Sequence, residues 1–170
     1  MRKIGLLLIF ITMITNQLQS QNDVKSAFLL KWENSKNYLL ELAEIMPSEN
    51  YDFKPTERQM SFQEQLLHIK ANMVWLSETY FMKEGEKSEK IKPKKKEEII
   101  LHLTKSFDKV SEIIKTISLD ELTTEVDFFA GPKSKLQILN LLQDHVTHHR
   151  GQLIVYLNLN QLEPPKYRGW

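Results

Sequence analysis

The chain has 170 residues, 41% of them hydrophobic, with 23 basic and 22 acidic side chains and no cysteine. This length indicates one domain with one core. The balanced charge argues against a nucleic-acid-binding protein, and the lack of cysteine excludes disulfides and thiol-linked lipid.

The first twenty residues have the pattern of a secretory signal peptide. Arg2 and Lys3 give a positive start, residues 4–14 form an apolar run, and the polar stretch that follows ends at the small residue Ser20. The apolar run is too short for an ordinary membrane span, although an uncleaved N-terminal anchor is the alternative. We therefore expect cleavage to leave residues 21–170 as an exported domain, periplasmic or secreted, with no stable membrane anchor.

A first helix is predicted over residues 24–46, because apolar residues recur there at helical spacing: Phe28, Trp32, Leu39, Leu42 and Ile45. Pro47 ends this helix, since the residue before a proline avoids helical angles. In the irregular connection that follows, we expect Tyr51 and Phe53 to pack onto the helices.

A second helix is predicted from Ser61 to about residue 82, because Ser61 and Glu64 have the spacing of a capping box. One stripe of this helix contains His68, Ala71, Asn72 and Trp75. Lysines and glutamates alternate over residues 83–98, which is typical of a solvated loop. A third helix is predicted from Pro93 to about residue 117, with His102 at its surface or boundary.

A fourth helix is predicted from Ser134, where a second capping box with Gln137 follows a short extended piece at residues 125–129. Its inward stripe is Ile138, Leu142, His145, His149, Gln152 and Tyr156. We expect a left-handed residue at Asn160 to end it, and Tyr167 and Trp170 to pack back. The connections between the first and second helices and between the third and fourth are each about fifteen residues long. They predict some irregular packing in an all-α bundle of four helices.

Three of the five histidines fall within five residues of the fourth helix. His145 and His149 are four apart and share a face, so together they can bind one metal ion. His148 is rotated by about 100° and cannot share that role equally. A metal needs further ligands, and His68 is the best candidate for the third. The alternative is that these histidines are hydrogen-bonded residues at the edge of the core.

Other polar residues surround the histidine pair. Gln152 and Tyr156 follow His149 at helical spacing, so they can line a pocket or contact a substrate, or simply pack. Asp144 can bond His148 or orient His145. We favour structural roles for Asp144, for His148 and for Arg150, which we expect on the outer side. Capping explains Glu64 better than a general-base role does.

The sequence resembles the DinB/YfiT-like superfamily over nearly the whole mature chain. The matching pieces are Tyr51-Asp52-Phe53-Lys54-Pro55, Ser61, Leu66-Leu67-His68-Ile69, Trp75, His145-Val146-Thr147-His148-His149-Arg150-Gly151-Gln152 and Pro164-Pro165. The resemblance implies a four-helix bundle, a zinc or nickel ion held by His68, His145 and His149, and a homodimer. The family usually has a glycine shortly after the fourth helix, where this chain has Asn160 and Gln161.

Members of this superfamily with known activity include thiol transferases and other metal-dependent enzymes for small molecules. Export would separate the chain from intracellular thiols, which weakens the thiol-transferase interpretation. We therefore expect an exported metal-dependent hydrolase or transferase acting on an unidentified small molecule. The alternative is a non-enzymatic metal-binding or structural bundle, which predicts a site closed by a fourth protein ligand or one without a pocket.

Overall fold

The computed structural model describes residues 23–82, 93 and 95–168, and most of them are helical. The long helices are α1 (Asp23–Ile45), α2 (Phe62–Tyr80), α3 (Lys96–Thr116) and α5 (Lys135–Leu159). Between them lie a 3-10 turn (Ser48–Asn50), the short helix α4 (Leu119–Leu122), and strands β1 (Glu125–Val126) and β2 (Lys133–Ser134). The all-α prediction is confirmed, as are both capping boxes. The predicted signal peptide, the loop at residues 83–92 and Trp170 lie outside the described residues.

The helices do not follow an up-down-up-down order. Lys25 near the start of α1 reaches the carbonyl of Lys115 at the end of α3, so these helices are antiparallel. Gln65 of α2 bonds Gln152 of α5, which makes that pair antiparallel as well.

The remaining pairs of neighbours run parallel. Ser35 of α1 bonds Gln143 of α5, and the polar contact between Asn50 and Asn160 joins the segments just after these two helices. The order is therefore up-down-down-up, with α1 and α2 on a diagonal of the bundle. This order gives the predicted long connections a physical reason, because sequential helices are not simple hairpin neighbours.

The core is formed by apolar side chains from all four long helices. Trp32 is fully buried, its ring lies 4.7 Å from that of Phe107, and its indole N–H donates to the Phe107 carbonyl at 3.0 Å. Tyr51 is buried and its hydroxyl donates to the Ala43 carbonyl at 2.8 Å, while Phe53 packs at the core edge. Both aromatic residues therefore pack as predicted. Within the described part of the chain, no helix is long and apolar enough to cross a membrane.

The end of α5 differs from the prediction. Asn160 has a φ of −91°, and the left-handed residue is Gln161, with a φ of 59°. The Asn160 side chain holds this residue in place, because its amide nitrogen donates to the Tyr156 carbonyl and its amide oxygen accepts from the Asn50 side chain. The chain therefore reverses one residue later than expected. Tyr167 is 83% exposed, so the prediction that it packs back is also wrong.

Arg150 lies inside the bundle, so its predicted outward position is wrong. It is 5% exposed, donates to the Ser35 hydroxyl at 3.3 Å, and places its guanidinium 4.8 Å from the centre of the Tyr38 ring. The reason is that α5 has two buried faces. Residues four apart share a face, and Arg150 follows the buried Val146 by four on the face that meets α1.

Candidate metal centre

The antiparallel contact between α2 and α5 brings His68 to the pair His145 and His149. The Nε2 atoms of His68 and His145 are 3.1 Å apart. One ring nitrogen from each of the three side chains lies within 4.8 Å of the others. His68 is exposed, His145 is half-buried and His149 is buried. The group therefore extends from the surface of the bundle inward.

The geometry and donor types of this group fit a divalent transition-metal ion. Two nitrogens bound to one zinc at about 2.0–2.1 Å lie roughly 3 Å apart, which matches the spacing between His68 and His145. Across residues 23–82, 93 and 95–168, no fourth histidine, cysteine, aspartate or glutamate joins the group. Three protein ligands and an open position are the arrangement typical of catalytic rather than structural zinc.

Burial keeps two of the imidazoles neutral. Burial, together with the neighbouring histidines, whose positive charge would repel a second one, lowers the pKa of His145 and of His149 from 6.5 to about 4. At pH 7 both rings therefore carry an unshared pair that can bind a metal.

Gln65 sets which nitrogen of His149 faces the other two histidines. His149 Nδ1 lies 2.6 Å from Gln65 Oε1, an atom that only accepts, so Nδ1 carries the proton and Nε2 carries the free pair. Gln65 is 1% exposed. Its amide nitrogen donates to Gln152 Oε1 at 2.5 Å and lies 3.3 Å from the Tyr156 hydroxyl, which itself donates to the Met60 carbonyl.

Gln65 was not among the site residues predicted from the sequence, whereas Gln152 and Tyr156, which contact it, were. The structure places Gln152 and Tyr156 against Gln65, one step behind the histidines. A signal for Gln65 was present, because it is a polar residue at an inward position of α2, three residues before His68 and beside the buried Leu66. A buried amide at such a position requires hydrogen-bond partners.

His148 is exposed and does not belong to the three-histidine group. Its Nε2 atom lies 2.8 Å from the Gln152 amide nitrogen, one turn later, and the predicted hydrogen bond with Asp144 is absent among the described contacts. Glu64 accepts from the Ser61 backbone and pairs with Lys54 at 3.2 Å. Capping and this ion pair account for Glu64, as predicted.

Two buried polar atoms beside the group have no hydrogen-bond partner in the described part of the chain. They are Nδ1 of His145 and Oδ1 of Asn72, and Asn72 follows His68 by one turn on α2. Buried polar groups are nearly always paired.

Comparison with known proteins gives matches over nearly the whole chain. The sequence model of the DinB family matches residues 13–168. The uncharacterized protein YjoA of Bacillus subtilis is 29% identical over 153 residues, which span 86% of this chain and 96% of YjoA. The crystal structure of a DinB-like protein from Bacillus cereus aligns with a TM-score of 0.71 and 25% identity. That of YjoA aligns with 0.68 and 20%, and each alignment covers 84% of this chain and 96% of the other.

Proposed function

The chain belongs to the DinB family, and on that premise we propose that it is a metal-dependent hydrolase or transferase acting on a small molecule. His68, His145 and His149 are the proposed ligands of one zinc or nickel ion. One observation carries the proposal: three convergent imidazoles with no fourth protein ligand among the described residues, on the surface of the bundle.

The side chains around this site have separable tasks in the proposed function. A divalent ion held here supplies a Lewis acid that can polarise a carbonyl. His145 and His149 bind as neutral rings, since their pKa values near 4 leave them unprotonated at pH 7. Gln65 fixes the ring of His149 through its Nδ1 proton. The exposed position of His68 leaves one side of the site open to an approaching substrate.

A non-enzymatic metal-binding domain is the second candidate. It is favoured by the lack of a carboxylate base within the histidine group, as far as the described residues extend. The exposed His68 and the lack of a fourth protein ligand among the described residues favour the enzyme, because a purely structural zinc site is normally closed by four protein ligands.

Two further parts of the proposal come from the sequence and from the family. Residues 1–20 are proposed as a signal peptide that exports residues 21–170 to the periplasm or the medium, and the mature protein is proposed to be a homodimer. N-terminal sequencing of the secreted protein tests the cleavage, and light scattering tests the dimer. Full-length protein retained in the cytoplasm would contradict export, and a monomer at micromolar concentration would contradict the dimer.

Metal content tests the ligand assignment directly. We expect about one zinc or nickel ion per chain in the purified protein, and loss of that ion in His68→Ala and His145→Ala. His102→Ala is the matched control, because His102 lies on α3 and outside the group. Wild-type protein that binds no metal after supplementation would contradict the assignment.

Activity then separates the two candidate functions. Metal-loaded protein is screened against ester, amide and lactone substrates, and any turnover is remeasured in His145→Ala. Turnover lost together with the metal supports the enzyme, and turnover retained in full without the metal contradicts it.

A further inference from the structure

Four aromatic rings form an unusual surface at one end of the α2–α5 face. Trp75 and Tyr80 come from α2, and Phe128 and Phe129 from the turn between β1 and β2. The rings of Phe128 and Phe129 are 4.3 Å apart, and both are nearly parallel to Trp75 at 6.1 and 6.3 Å. Trp75 is 42% exposed and Phe129 is 81% exposed. We call these four residues the aromatic cluster.

This cluster lies on the same face as the three histidines. His68 and Trp75 are seven residues apart, so they differ by about 20° around α2 and by roughly 10 Å along it. Ala71 stands between them, exposed and small. On α5, Leu141 precedes His145 by one turn and is 36% exposed. Both helices therefore present accessible surface that runs from the histidines to the aromatic rings.

A cavity of about 350 Å³ lies beside the cluster, between α5 and the segment that carries Phe128. Its lining is Phe128, Lys133, Gln137, Ile138, Asn140, Leu141 and Asp144. Asp144 directly precedes the proposed ligand His145. Mostly apolar surface with a few polar groups is typical of small-molecule sites. A larger cavity of about 460 Å³ between α1 and α5 shares Asn140 and Asp144 with this lining, and neither of the two cavities includes His68, His145 or His149.

We propose that the aromatic cluster binds a planar apolar group of the substrate, while the reactive end of the same molecule reaches the histidine site. The inference rests on the proposed function and specifies its substrate class: a small molecule with an aryl group some distance from a carbonyl or related metal-binding group. Parallel rings such as Trp75 and Phe129 favour offset stacking with a further planar ring. Lys133 and Asp144 interrupt the apolar surface beside the cluster, which suits a small ligand better than an extended apolar interface with a second copy of the chain.

Hydroxamates provide the test, because one end binds zinc and the other can be varied. The zinc-loaded full-length protein is titrated calorimetrically with acetohydroxamate, hexanoyl hydroxamate and phenylbutanoyl hydroxamate. We expect the phenyl compound to bind about tenfold more tightly than the hexanoyl compound, the difference that one good aromatic contact provides. That preference should disappear in Trp75→Ala and Phe129→Ala, with acetohydroxamate affinity unchanged. Leu101→Ala is the control, since Leu101 is a 51% exposed apolar residue on α3.

The possible outcomes separate this inference from the function on which it rests. If acetohydroxamate binds and the phenyl compound shows no preference, or keeps it in both variants, the aromatic subsite is wrong and the proposed function stands. If acetohydroxamate does not bind the zinc-loaded protein, the open metal site is wrong and the subsite is overturned with it. Light scattering gives a last criterion: a dimer that becomes a monomer in Trp75→Ala would assign the cluster to subunit contact and overturn the proposal.

Discussion

Replacing Gln65 with methionine tests how the structure prepares His149 for metal binding. Gln65 accepts the Nδ1 proton of His149 at 2.6 Å and is almost fully buried. Methionine has a similar length and no strong acceptor. Loss of a hydrogen bond to a metal-binding histidine typically weakens metal affinity 10–100-fold, which corresponds to about 1.4–2.7 kcal/mol. We therefore expect the zinc Kd of Gln65→Met to rise by that factor.

Competition with a chromogenic zinc chelator at pH 7.5 measures this Kd. Gln63→Met is the matched control, because Gln63 is on the same helix but bonds Asp52 outside the site. Gln65→Glu keeps an acceptor for the Nδ1 proton but loses the donor to Gln152 Oε1, so it should bind zinc more tightly than Gln65→Met. Urea denaturation of metal-free Gln65→Met should show a loss of roughly 1–3 kcal/mol from buried groups left unpaired. A folded Gln65→Met protein with a Kd within twofold of wild type would refute this account of His149.

Two further predictions concern stability. The pKa of His145 and of His149 is about 4 in the folded protein, against 6.5 ordinarily, so the unfolded chain binds more protons between these values. The urea midpoint of the metal-free protein should therefore be constant above about pH 6.5 and fall as the pH drops from there through 4. The fall should be smaller in His149→Leu. An equal fall in that variant would contradict the lowered pKa of His149. Gln161→Gly should raise the free energy of unfolding by about 0.5–1 kcal/mol by relieving the left-handed φ of 59°. Asn160→Gly should lower it in the same denaturation assay, because the bonds to Asn50 and Tyr156 are lost, and the opposite ranking would count against the observed helix end.

Local features of the fold could be predicted because they depend on neighbours in the chain. Ser61 with Glu64 and Ser134 with Gln137 begin helices in the structure as their spacing indicates. The shared face of His145 and His149 follows from helix geometry alone. These contacts span three or four residues, so the sequence determines them without knowledge of the packing.

The wrong position predicted for Arg150 came from assigning a single inward face to the fourth long helix, α5. α5 packs against both α1 and α2, and one face cannot serve two neighbours. Arg150 therefore lies inside, against Ser35 and Tyr38, instead of outside. The left-handed turn fell on Gln161 because Asn160 is engaged by Asn50, a residue from another part of the chain.

By itself, the sequence determined the four long helices, the capping boxes that begin two of them and the histidine pair, since each is encoded within a few residues. Only the tertiary structure decided that α2 lies antiparallel beside α5, which brings His68 within 3.1 Å of His145. The same packing buries Gln65 against His149. Helical periodicity predicts which residues share a helix face. Which neighbouring helix that face packs against depends on how all four helices fill a common core.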